Sequence, residues 1–103
     1  MKYQLSLAAE ADIQDIYRYS FDQFGERRAD KYVMGLHEEF GHISGFPEIG
    51  KSLSRKGFEH IRRYDHISHI VIYTQIEDSI KILRVLHISV DIDSQLKPDE
   101  NNE

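Results

Sequence analysis

Residues 3–7 alternate, with Tyr3, Leu5 and Leu7 set against Gln4 and Ser6, the period of a half-buried strand. From about Ala8 to Phe24 the period lengthens to that of a helix. Ala9, Ile13, Ile16, Tyr17 and Phe24 fall near one stripe, and Asp12, Asp15, Arg18 and Asp22 are expected on other faces. Gly25 is placed to end this helix, because glycine takes the left-handed C-cap conformation at little cost. A second helix is predicted over about Glu26–Ser44, where Ala29, Tyr32, Val33, Leu36, Phe40 and Ile43 recur every three or four residues. The one-glycine link makes the pair an antiparallel hairpin.

Gly45-Phe46-Pro47-Glu48-Ile49-Gly50 breaks the helical pattern, since proline removes a donor and restrains the residue before it. Lys51 to Gly57 is polar and is expected to be irregular. Strands are predicted near Phe58–Tyr64, Ser68–Gln75 and Ser79–Ile88. The last is apolar on both faces, with Ile80, Ile82 and Leu86 on one and Leu83 and Val85 on the other. That is the pattern of a strand packed on both sides. The predicted fold is α+β: an N-terminal strand, a two-helix antiparallel hairpin and a three-stranded antiparallel meander. One domain is expected over residues 1–96, followed by a disordered polar tail over 97–103.

A chain of 103 residues has room for one modest core. It has no cysteine, so disulfides and thiolate metal sites are excluded. The first residues lack the apolar run of a signal peptide, and no window approaches the roughly 20 apolar residues of a membrane span. A cytoplasmic protein is expected.

Net charge is -5, unevenly spread. Residues 51–64 hold five bases, Lys51, Arg55, Lys56, Arg62 and Arg63, against the single acid Glu59. An acidic chain is a poor general binder of nucleic acid, which needs many cations to neutralise phosphate. The local basic patch suits an acidic partner or a solvated strand edge.

The most informative segment is the pair of β-branched runs Ser68-His69-Ile70-Val71-Ile72-Tyr73 and Ile80-Lys81-Ile82-Leu83-Arg84-Val85-Leu86-His87, joined by Glu77-Asp78-Ser79. His69, Tyr73, Arg84 and His87 stand inside an otherwise apolar pattern. With Leu5-Ser6-Leu7-Ala8-Ala9-Glu10-Ala11-Asp12, Phe24-Gly25 and Phe46-Pro47-Glu48-Ile49-Gly50-Lys51, these strings resemble the ParE branch of the ParE/RelE toxins, in order and over nearly the whole chain. Arg62 sits where that family carries an arginine. Ile67 stands where members commonly have glycine, and Val90 where they often have methionine.

The resemblance implies the toxin of a bacterial type II toxin–antitoxin pair, which poisons DNA gyrase by binding and is neutralised by a ParD-like antitoxin. It implies no cofactor. Arg62, Arg63, Arg84 and His87, with the segment up to Leu96, are expected to shape the target-facing surface. Tyr17, Tyr32, Val33, Leu36 and Phe40 are expected to divide between core and antitoxin groove. The alternatives are a RelE-type ribosome-dependent endoribonuclease, with Arg62, Arg84, His87 and Tyr73 near the scissile phosphate, and an inactive antitoxin-binding relative. Blander roles are also open: Arg84 paired with a carboxylate such as Asp91, and Tyr73 packed with its hydroxyl bonded. Neither His37 with His42 nor His66 with His69 brings a third ligand, so no metal site is expected.

Overall fold

The computed structural model describes residues 3–53 and 55–96. Its elements are β1 (Tyr3–Leu5), α1 (Leu7–Phe24), α2 (Glu26–Gly45), β2 (Lys51–Ser52), β3 (Ile61–His66), β4 (His69–Ile76), β5 (Ser79–His87) and α3 (Ile92–Gln95). The strands form one five-stranded sheet in the order β1-β5-β4-β3-β2. The expected N-terminal strand, helical hairpin and antiparallel meander are all present. Two short elements are additions: β2, in a stretch expected to be irregular, and α3. The tail expected to be disordered over 97–103 lies outside the described residues.

β1 runs parallel to β5, with Tyr3 opposite Ile80 and Leu5 opposite Ile82. The first and last strands are therefore neighbours, and β5 lies inside the sheet between β1 and β4. Ser6 makes the turn from β1 into α1. Its side chain accepts the Ala9 N–H at 3.0 Å as an N-cap and donates to the Leu83 carbonyl at 2.8 Å, so one hydroxyl ties the helix start to β5. At the other end of α1, Gly25 has φ +93° and ψ 173°. This is an extended positive-φ conformation, and not the left-handed cap the pattern suggested. It is open only to a residue without Cβ and lets one residue close α1 and start α2.

The core has two parts, one on each face of the sheet. Ala9, Ile13 and Ile16 of α1 and Leu36, Phe40 and Ile43 of α2 pack on Val71, Tyr73, Ile80, Ile82 and Val85. On the far face, Phe58, Ile61, Ile70, Ile72 and Leu86 are covered by Leu53, Leu83, Val90, Ile92 and Leu96. The segment after His87, with α3, thus closes the second face.

The division of β5 between these faces differs from strict alternation. Tyr73 pairs with Ile82 but Ile72 pairs with Arg84, so β5 carries an extra residue at Leu83. A β-bulge of this kind reverses the side-chain parity beyond it. Val85 therefore joins Ile80 and Ile82 under the helices, and Leu86 goes to the other face with Leu83.

Ile67 begins the two-residue turn between β3 and β4 and has φ +53° while 72% exposed. Two-residue hairpin turns favour glycine at such a position, and a β-branched residue there is strained by about 1–2 kcal/mol. Because its side chain is mostly in water, little packing offsets the strain. The Ile67→Gly variant should therefore be more stable by about 1 kcal/mol. Urea unfolding checks this, and an unchanged or lower midpoint would refute the assignment of strain.

Candidate functional site: a groove between the helical hairpin and the inner strands

Asp12 lies three residues after Ala9 and four before Ile16, which places it on the buried stripe of α1 and not on an outer face. A carboxylate in that position needs partners. Its two oxygens accept from Arg84 Nε at 2.8 Å and Arg84 Nη2 at 2.9 Å, and Oδ2 also accepts the Val85 N–H at 2.8 Å. The side chains are 14% and 26% exposed. This bidentate, charge-assisted geometry is the strong form of an ion pair, and it raises the already high pKa of the guanidinium. Arg84 is thus paired with Asp12 and not with the sequence neighbour Asp91. The residue missed from sequence was Asp12, and its place on the core stripe was the signal.

The pair lies at one wall of a groove of about 920 Å³ between the hairpin and the ends of β4 and β5. Ile16, Phe24, Tyr32, His69, His87 and Val90 also line it. Tyr32 and His69 join hairpin to sheet. The Tyr32 hydroxyl lies 2.7 Å from His69 Nδ1, and the His87 ring stands edge-on to His69 at 5.4 Å. Burial, and then the neighbouring His87 and His66, push the His69 pKa down to about 4, against a smaller opposing effect of Asp12. Neutral His69 and the Tyr32 hydroxyl share one hydrogen bond, its direction set by the imidazole tautomer. His87 is exposed, with Nδ1 2.8 Å from the Ser89 hydroxyl.

The other candidates lie elsewhere. Arg62 and Arg63 point to opposite faces, Arg62 pairing with Tyr73 and Arg63 with Ile72 across β3 and β4. Arg62 donates to the Gly50 carbonyl at 2.7 Å, and Arg63 to Asp65 at 2.9 Å. Tyr73 is fully buried, donating its hydroxyl proton to the Pro47 carbonyl and accepting the Gly50 N–H. Burial raises its pKa. The four residues of the endoribonuclease alternative thus fall into two groups, Arg62 with Tyr73 at the 47–50 loop and Arg84 with His87 at the groove. Tyr73 has no face toward solvent, because its ring completes the core under the helices.

Of the residues expected to divide between core and antitoxin groove, Leu36 and Phe40 are wholly buried. Tyr32 lines the large groove. Tyr17 and Val33 line a second, shallower groove on the hairpin with Ile13 and Phe21, and the Tyr17 hydroxyl donates to Asp30 across the hairpin at 2.9 Å. Among the described residues no group of three His, Asp or Glu side chains is placed to hold a metal ion. His37 is bonded to Tyr3 and His66 to Glu39. No helix among the described residues is long and apolar enough to cross a membrane.

A helical hairpin thus packs on a sheet whose first and last strands are parallel neighbours. The fold matches a chain of the chromosomal ParDE TA system from P. aeruginosa at a TM-score of 0.71, with 19% identity, covering 86% of this chain and 97% of that one. It also matches the solution structure of a conserved hypothetical protein from Helicobacter pylori at 0.52, with 14% identity. In sequence, residues 3–92 match the family described as ParE toxin of type II toxin-antitoxin system, parDE. Toxin ParE1 of Mycobacterium tuberculosis is 31% identical over 98 residues, 92% of this chain and 97% of that protein. Toxin ParE1 of Caulobacter vibrioides is 33% identical over 96 residues, 91% and 96% of the two chains. The chain belongs to the ParE toxin family.

The His69 environment makes stability depend on pH. The folded seam holds imidazole neutral to about pH 4, whereas the unfolded chain takes the proton near 6.5. This contribution is complete above pH 6.5 and is lost as pH falls toward 4. In parallel urea titrations, the His69→Gln variant should lose less stability than the parent between pH 7 and 4.5. Equal losses would show that His69 does not control the acid side.

Proposed function

We propose that the chain inhibits DNA gyrase by binding it, acts in the cytoplasm, and is neutralised by a cognate ParD-like antitoxin. The observation that carries this reading is family membership over residues 3–92. The placement of the candidate residues supports binding over chemistry. Arg84 is closed by Asp12, Arg62 by a loop carbonyl, and Tyr73 lies inside the core. General acid–base work on RNA needs groups converging on one phosphate, and these four diverge. Among the residues expected on the target-facing surface, Arg63 and His87 keep surface to offer, while Arg62 bonds the Gly50 carbonyl and Arg84 the Asp12 carboxylate.

The hairpin suits an antitoxin segment. Tyr19, Phe21, Phe24 and Met34 are 65%, 46%, 54% and 62% exposed, more apolar surface than two helices of a small monomer need to show. Tyr19 and Phe24 line the large groove and Phe21 the second one, and an amphipathic segment following either groove would bury part of this surface, in the manner of helix-in-groove recognition.

The test is a supercoiling assay with purified DNA gyrase, ATP and relaxed plasmid, read for supercoiled and linear product. The chain should block supercoiling and leave linear DNA, and both effects should disappear when the antitoxin is added first. A folded sample that leaves gyrase untouched while cutting mRNA on ribosomes would replace this reading with the endoribonuclease.

A further inference from the structure

The turn that follows α2 is held far more firmly than a surface connection requires. Its carbonyls are taken one after another. Phe46 O accepts from Ile49 N at 2.9 Å, closing a four-residue turn with Pro47 at its favoured second position. Pro47 O accepts from the Tyr73 hydroxyl at 2.7 Å, and Gly50 O from Arg62 Nη1 at 2.7 Å. Gly50 N in turn donates to the Tyr73 oxygen at 2.9 Å. The fit leaves no slack, since a Cβ on Gly50 would lie 2.6 Å from that oxygen and 2.7 Å from the Arg63 carbonyl.

The apolar side chains of this clamped turn do not serve the core. Phe46 is 63% exposed and Ile49 is 42% exposed, with the His42 ring 5.6 Å from that of Phe46. A rigid turn that presents an aromatic and a β-branched side chain to water is a preordered anchor, because little conformational freedom remains to be lost on binding. Its surroundings state what it fits. The turn leads directly into exposed Lys51 and adjoins Arg62, two cations against the one acid of the turn itself, exposed Glu48. Nucleic acid is a poor occupant, because the chain as a whole carries -5 and the anchor itself is apolar.

We propose that Phe46 and Ile49 form the anchor that enters an apolar cleft bordered by carboxylates on the protein surface of the target. The inference deepens the gyrase-binding reading and rests on it. The anchor caps the C-terminal end of α2, whereas Tyr19, Phe21 and Phe24 stand near the α1–α2 junction, so target and antitoxin would meet different parts of the toxin.

The experiment measures half-inhibitory concentration in gyrase supercoiling for the parent chain and for the Phe46→Ser/Ile49→Ser double variant. Leu7→Ser is the control for loss of exposed apolar surface, since Leu7 is 83% exposed and lies outside the turn, at the start of α1. Thermal unfolding confirms that each protein is folded. The double variant should lose about tenfold or more in potency, with Leu7→Ser unchanged. Two further variants read the cleft's charge: Ile49→Glu should be weaker than Ile49→Lys, because a carboxylate border repels the first and accepts the second. Full potency in a folded double variant would overturn the anchor while leaving gyrase as the target. Equal losses for Glu and Lys would overturn the acidic border. An inactive parent chain would overturn the gyrase reading itself and the anchor with it.

Discussion

Asp12 is the group on which the arrangement of this small toxin depends. It comes from the buried stripe of α1 and takes three hydrogen bonds, two from the Arg84 guanidinium and one from the Val85 amide. All are made at the place where β5 is interrupted by its bulge. β1 accompanies β5 only as far as Ile82, and beyond it the Asp12 carboxylate takes the Val85 amide. The same carboxylate neutralises an arginine that would otherwise sit charged against a core. Hairpin, bulge and inner strand are thereby fixed relative to one another. Removing either charge would leave the other half-buried, which costs about 3–5 kcal/mol in fully buried pairs and less where water reaches in.

The rest of the molecule repeats this use of polar side chains. Ser6 caps α1 while bonding β5, Tyr73 and Arg62 close the 46–50 turn, and Tyr32 meets His69 across the seam of hairpin and sheet. A chain with one modest core and no cysteine has few other ways to hold its layers in register. Arginine, tyrosine and histidine within apolar strands look like a catalytic set, yet here they serve largely as ties between segments distant in sequence. What these ties leave on the surface is a rigid frame carrying the hairpin's apolar side chains at one place and the turn's Phe46 and Ile49 at another.

Much of this was legible along the chain. The periodicity of Ala29, Leu36, Phe40 and Ile43 marked α2, whose face is buried by the sheet, and the two-sided apolar pattern of β5 marked an inner strand. Less legible were features set by partners far away. The bulge at Leu83 has no local signature, so Val85 and Leu86 were expected on each other's faces. β2 is only Lys51 and Ser52, held by pairing to Arg63 and Arg62, and two polar residues show no period. β3 starts at Ile61 and not near Phe58, because residues 59–60 form a turn before the ladder begins. A carboxylate near in sequence, such as Asp91, was one partner open to Arg84, whereas the actual partner lies 72 residues away. That Tyr17, Tyr32 and Val33 line grooves while Leu36 and Phe40 are buried was not readable, because a stripe alone does not tell core from groove.

The most direct measurement is a double-mutant cycle on unfolding free energy with Asp12→Asn, Arg84→Met and the pair combined. If Asp12 and Arg84 form the tie that seats the hairpin on β5, each single change destabilises and the two are coupled by about 1–3 kcal/mol. The double variant then is little worse than the worse single one. Losses that add within about 0.5 kcal/mol would mean that the two side chains act independently, and the hairpin would have to be held to the sheet by apolar packing alone.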